Sequence, residues 1–117
     1  MNRKVYTCIA FLFVVYTTIQ AQAGEHFRFA LLTDIHVTNK GTAFEDLQNS
    51  INQVNKTQGI DFVLVTGDIT EEGDRASMKK VKTALGQLKV KYYIIPGNHE
   101  TKWSESGVTD FGHIFGG

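Results

Sequence analysis

The 117-residue chain contains one cysteine and one proline. A single thiol forms no disulfide within the chain, and a multi-cysteine zinc or iron–sulfur site is excluded. Cys8 lies in an apolar stretch near the N-terminus, too early and behind the wrong residues for a lipoprotein attachment site. No proline-rich or low-complexity tract is present, so disorder is not the default. An excess of charge of one sign is missing too: twelve Lys and Arg balance twelve Asp and Glu. With no dominant basic patch, nucleic acid is not expected as a specific partner. No apolar run reaches the roughly 20 residues that a membrane-spanning helix needs.

The N-terminus carries a short basic start, Met1-Asn2-Arg3-Lys4, then an apolar run from Val5 to Ile19, then Gln20-Ala21-Gln22-Ala23 with small residues at the A-x-A positions. That order predicts a secretory signal peptide over residues 1–23, and hence export to the periplasm or the medium. Its removal takes away Arg3, Lys4 and Cys8, leaving ten basic residues against twelve acidic ones. The mature chain is then expected to lack cysteine and to have no membrane contact.

Residues 24–117 read as one domain. Phe27 to Thr33 begins with alternation and ends in an apolar run, which predicts a strand buried toward its end. Thr42-Ala43-Phe44-Glu45 has the form of a capping box, and Phe44, Leu47, Ile51 and Val54 recur at helical spacing. A helix is expected from about Ala43 to Thr57, stopped by Gly59. Asp61 to Thr66 is compact and β-branched, the pattern of a strand covered on both faces. Met78, Val81, Leu85 and Leu88 predict a second helix from Arg75 to Leu88, weakened at Gly86. Val90 to Ile95 predicts a third strand, closed by Pro96-Gly97. Everything beyond Glu100 is polar, Gly-rich and weakly periodic, and is expected to be loop. The fold class is therefore α/β, with a β-α-β-α-β order that implies parallel strands and ligand binding at their C-terminal edge.

Each predicted strand ends in metal-competent residues: Asp34-Ile35-His36, Gly67-Asp68 and Gly97-Asn98-His99-Glu100. Singly these are weak signals, but as an ordered set at three strand ends they are specific. In an extended segment Asp34 and His36 point the same way and hold one cation between them. Asp68 is a carboxylate able to bridge two cations, and Gly67 lets its turn approach closely. Asn98 offers an amide oxygen to the second cation. Two divalent ions about 3.5–4 Å apart activate a water and clamp phosphoryl oxygens. His99 follows a ligand directly, points off the Asn98 direction, and suits protonation of the leaving oxygen. Glu100 is placed to orient His99, or else is a solvated loop charge. His113 stands alone in Gly112-His113-Ile114-Phe115, without ligand spacing, and reads as a loop residue.

The three blocks resemble the D-x-H, G-D and G-N-H-[D/E] blocks of the calcineurin-like metallophosphoesterases, over roughly Phe29 to Glu100. The resemblance implies a β-α-β-α-β half of that family's αββα sandwich. It also implies a dinuclear site of Fe, Zn or Mn type ions and hydrolysis of phosphomonoesters or phosphodiesters by a metal-bound hydroxide. Carried across, Asp34 and His36 bind the first metal, Asp68 bridges, Asn98 binds the second and His99 assists the leaving group. The family continues with a further metal-binding His and a G-H-x-H block, which have no counterpart here. The domain is thus expected to be incomplete on its C-terminal side, to hold metal loosely, to expose apolar surface, and to be nearly inactive as an isolated segment.

Other classes remain open on the residues themselves. A non-catalytic metal- or nucleotide-binding α/β domain uses the same edge, although it has no need of His99. A purely structural domain leaves five metal-type residues unexplained. A dinucleotide-binding unit is disfavoured because the first β-α turn lacks G-x-G-x-x-G and carries Asp34, which repels phosphate unless a cation intervenes.

Overall fold

The computed structural model describes residues 26–102 and 108–116. The predicted signal peptide, residues 1–23, lies outside the described residues. The elements in chain order are β1 (Phe29–Leu32), α1 (Ala43–Lys56), β2 (Phe62–Val65), α2 (Arg75–Leu85), β3 (Lys91–Ile94), α3 (Asn98–Thr101) and α4 (Val108–Phe115). No described helix is long and apolar enough to cross a membrane.

The strands form one parallel sheet in the order β1-β2-β3, with Phe29 opposite Phe62 and Phe62 opposite Lys91. This α/β unit agrees with the sequence expectation. Two right-handed crossovers advancing in the same direction put both helices on one face of a sheet. The burial follows: Val63 and Val65 are fully covered among Leu47, Ile51, Met78, Val81 and Leu85. Among the described residues, the other face is left open. Across it runs a stripe in which Phe29 stacks on Phe62 at 5.5 Å and Phe62 meets Tyr93 edge-on at 5.8 Å. Leu31 is 55% exposed and Ile95 59%. The expectation that β2 is covered on both faces is therefore wrong, as its burial alternates. β1 alternates likewise rather than sinking toward its end. An apolar run does not distinguish two covering layers from one.

Helix α1 starts where the pattern predicted, but Thr42 does not form a capping box. Its backbone already lies in the helical region, φ −101° and ψ −4°, whereas a capping side chain reaches back from extended backbone. Its hydroxyl donates instead to Asp46 Oδ2 at 2.9 Å. Glu45 and Asp46 in the first turn and Lys56 in the last suit the helix dipole. Helix α2 does have a cap: Asp74 is extended and accepts from the Ser77 amide at 2.8 Å. The helix ends at Leu85, three residues before the predicted Leu88. Asn55 draws the following segment away, donating to the Gln87 carbonyl and accepting from the Lys89 amide, each at 2.8 Å.

The region read as loop beyond Glu100 contains α4, and His113 is an exposed residue of this helix. Phe111 and Ile114 are buried at helical spacing. Arg75 on α2 donates to the Asp110 carboxylate, and Lys82 donates to the Ile114 carbonyl. Gly112 and Gly116, poor helix formers, masked the amphipathic pattern in the sequence.

Candidate metal centre

Past the strand ends, the first two loops continue side by side. The amide of Asp34 donates to the Gly67 carbonyl at 3.3 Å, that of His36 to Asp68 at 2.9 Å, and that of Val37 to Ile69 at 2.9 Å. The Glu71 amide returns a bond to Val37 at 3.0 Å. This zipper holds a costly backbone. Asp34, His36 and Asp68 have φ of 51°, 50° and 48°, and among the described residues no other non-glycine residue has positive φ. Left-handed conformations cost roughly 1–2 kcal/mol each for ordinary L-residues. Asp34 and His36 are thus not extended, contrary to the sequence reading. Paired left-handed turns, rather than strand alternation, bring them together, with His36 Nε2 3.9 Å from Asp34 Oδ1.

The third loop arrives by close backbone packing. A Cβ on Gly67 would lie 2.5 Å from the Gly97 nitrogen, and one on Gly97 would lie 2.0 Å from Asp68 Oδ1. The glycines of the G-D and G-N-H-E blocks are therefore needed against each other: any side chain at either would push Asp68 or the third loop out of place. With Gly97 seated there, the His99 amide donates to Asp68 Oδ1 at 3.2 Å.

Glu100 is not a solvated loop charge. It is fully buried and ties the second loop to the third. Oε1 accepts from the Thr70 amide and hydroxyl, each at 3.0 Å, while Oε2 accepts from the Gly97 amide at 2.9 Å. A buried carboxylate satisfied in this way fixes the relative position of its partners.

Ligand atoms of His36, Asp68 and His99 all lie within 4.8 Å of one another. The His36 and His99 rings meet edge-on, centroids 4.7 Å apart. Asp34 adjoins the group through His36 and is 65% exposed. Asn98 opens α3 and is exposed. Two imidazoles and a carboxylate, with a second carboxylate beside them, suit a divalent transition ion. The three left-handed residues also fit, since such strain gathers at functional sites.

A residue that sequence reasoning missed stands behind the rings. His36 Nδ1 lies 3.0 Å from Glu71 Oε2, and His99 Nδ1 lies 2.5 Å from the Glu71 carbonyl. That carbonyl raises the His99 pKa above its ordinary 6.5; desolvation opposes it, and the Asp68, Glu71 and Glu100 carboxylates add to it. No composition or spacing signal marks Glu71, one of two adjacent loop glutamates.

This sheet edge, with its three converging loops, matches a family. The profile of the calcineurin-like phosphoesterases fits residues 27–116, and the chain belongs to that family. It is 34% identical over 77 residues to a probable glycerophosphodiester phosphodiesterase, GpdQ, of Arcobacter nitrofigilis, covering 59% of this chain and 28% of that protein. It is 44% identical over 43 residues to a probable cyclic nucleotide phosphodiesterase of Vesicomyosocius okutanii, covering 37% of this chain and 18% of that protein. A probable cyclic nucleotide phosphodiesterase of Coxiella burnetii is 24% identical over 78 residues, covering 62% of this chain and 32% of that protein. The chain spans less than a third of the length of each of these relatives.

Proposed function

We propose that this chain carries the cation-holding edge of a dinuclear, metal-dependent phosphodiesterase acting on a small phosphodiester. One observation carries the proposal: His36, Asp68 and His99 converge within 4.8 Å at the ends of three parallel strands. The diester class is supported by similarity to proteins named as glycerophosphodiester and cyclic nucleotide phosphodiesterases. Asp34 and His36 would hold the first ion, Asp68 would be shared between the two and Asn98 would hold the second. The remaining nitrogen ligands and a cover for the open sheet face come from outside residues 24–117. In that place, ions of Fe, Zn or Mn type would supply a water of lowered pKa and neutralise phosphoryl charge. His99, with Nδ1 against the Glu71 carbonyl, keeps Nε2 toward the site. Its raised pKa favours the protonated ring needed to give a proton to the leaving oxygen.

A second reading, a non-catalytic metal-binding domain, draws on one observation: the His99 ring belongs to the same cluster as the ligands, where it serves as a donor to the ion rather than as an acid. Hydrolysis of an aryl phosphodiester and monoester by the natural full-length product, with and without Mn or Zn, separates the two. Expected is metal-dependent turnover, faster on the diester and lost in Asp68→Asn, with little turnover by residues 24–117 alone. Metal binding without turnover on either ester selects the second reading. Export is part of the proposal, and N-terminal sequencing of the secreted product is expected to begin at Gly24.

A further inference from the structure

Of the ionisable residues around the cluster, Glu71 touches both imidazoles, and its carboxylate has no role in the reading above. Its carboxylate lies 3.0 Å from His36 Nδ1, and its main-chain carbonyl 2.5 Å from His99 Nδ1. His36 Nδ1 is buried and makes no aligned hydrogen bond within the described structure. A buried ring nitrogen without a partner is costly, and the group nearest to relieving it is the half-exposed Glu71 side chain, 53% accessible and able to rotate into line.

The chemistry of the two acceptors decides the rings' protonation pattern. A carboxylate and a carbonyl only accept, so the nitrogen facing each must carry the hydrogen. In both neutral rings the lone pair is then left on Nε2. The main-chain contact sets this tautomer at His99 directly, and the Glu71 carboxylate sets it at His36 once its side chain turns into line, on two histidines that reach the cluster from different loops. The zipper explains how Glu71 holds this place: its amide is bonded to the Val37 carbonyl, one residue beyond His36.

We propose that Glu71 is a positioning residue for the cation site, its side chain fixing the His36 ring as the Nδ1–H tautomer and its main chain fixing His99. The inference rests on the cation-site reading above. It predicts that ligand donors behind a metal-binding ring matter for affinity, where loss of such a partner typically weakens metal binding about 10–100-fold.

The test uses the full-length product with ¹⁵N-labelled histidine, metal-free, at a pH where both rings are neutral. In the wild type the ring-nitrogen spectrum shows His36 as the Nδ1–H form. Glu71→Ala is expected to give a mixture of tautomers at His36 and to weaken Zn or Mn binding, measured calorimetrically, by about 10–100-fold. Glu71→Gln, whose amide oxygen accepts the same bond, restores the single tautomer and most of the affinity. His99 stays unchanged in both variants, because its partner is main chain, and this also reports that the loop is intact. An unchanged His36 spectrum in Glu71→Ala overturns the assignment, as does a Gln variant no better than Ala. Since the ring spectrum needs no metal, a wild type that binds no cation overturns the cation-site reading, while the tautomer result still decides the role of Glu71.

Discussion

The candidate site is built from residues in conformations that ordinary side chains avoid. Asp34, His36 and Asp68 sit near φ +50°, where glycine is at ease and an L-residue is not. Asp34 is the cleanest of the three to examine, being 65% exposed at its side chain and bonded locally to the Thr33 hydroxyl. Asp34→Gly is expected to raise stability by about 1 kcal/mol, the left-handed penalty relieved, while weakening metal binding. Urea denaturation of the metal-free protein measures the first effect, and a midpoint no higher than wild type refutes it. Such a gain would be the familiar exchange in which a functional site is kept at the expense of stability. The same geometry limits what the sequence reveals. Gly67 and Gly97 announce close approach by their identity, but nothing in the letters Asp or His says that φ is positive. The pairing of Asp34 with His36 was anticipated, yet for the wrong geometric reason. Glu100 was read beside His99 because it follows it, whereas its carboxylate turns back to Thr70 and Gly97. Burial of a charge is decided by loops that meet only in three dimensions.

At the scale of elements, periodicity located β1, α1, β2, α2 and β3 well, since each combines one covered face with a clear stop. The misses lie where competing hydrogen bonds decide. Asn55 unwinds the end of α2, and Asp110 and Ile114 pin α4 to α2 despite Gly112 within it. Asp74, an unremarked loop residue in the sequence, caps α2. Desolvation pushes its carboxyl up, but hydrogen bonds led by the Ser77 amide outweigh this and hold it below its ordinary 3.8. A carboxyl with a lowered folded pKa stabilises above its unfolded value, and the contribution fades as pH falls through the folded one. Asp74→Ala is therefore expected to cost about 1 kcal/mol at neutral pH. The gap between variant and wild type should close as acid is added below pH 3.8. Thermal melts of both proteins across that range measure it; a gap independent of pH would assign the loss to something other than the charged cap.

On the scale of the whole molecule, the sheet is lopsided. One face packs a continuous core, while the other presents Phe29, Leu31, Tyr93 and Ile95 in the open around a half-buried Phe62. Truncation tests whether the open face is covered in the full-length product. Ile51→Ala, at a fully buried position, is expected to cost about 2–5 kcal/mol. Leu31→Ala, on the face that the proposed cover would bury, is expected to cost a similar amount there. Denaturant titration of the two variants in the full-length product provides the comparison, and a Leu31 loss under about 1 kcal/mol would mean that the face stays in water.

The strand order has a consequence for how the molecule comes into being. Because β1, β2 and β3 lie side by side in the order in which they are made, each strand pairs with the one made just before it. Asp34, His36 and Asp68 are brought together by the first two strands alone. His99 joins them only after β3 has been added, and Glu100 locks the arrangement one residue later. A chain that stopped before β3 would hold His36 and Asp68 but neither His99 nor the Glu100 clasp, so the third strand is what completes and locks the cluster.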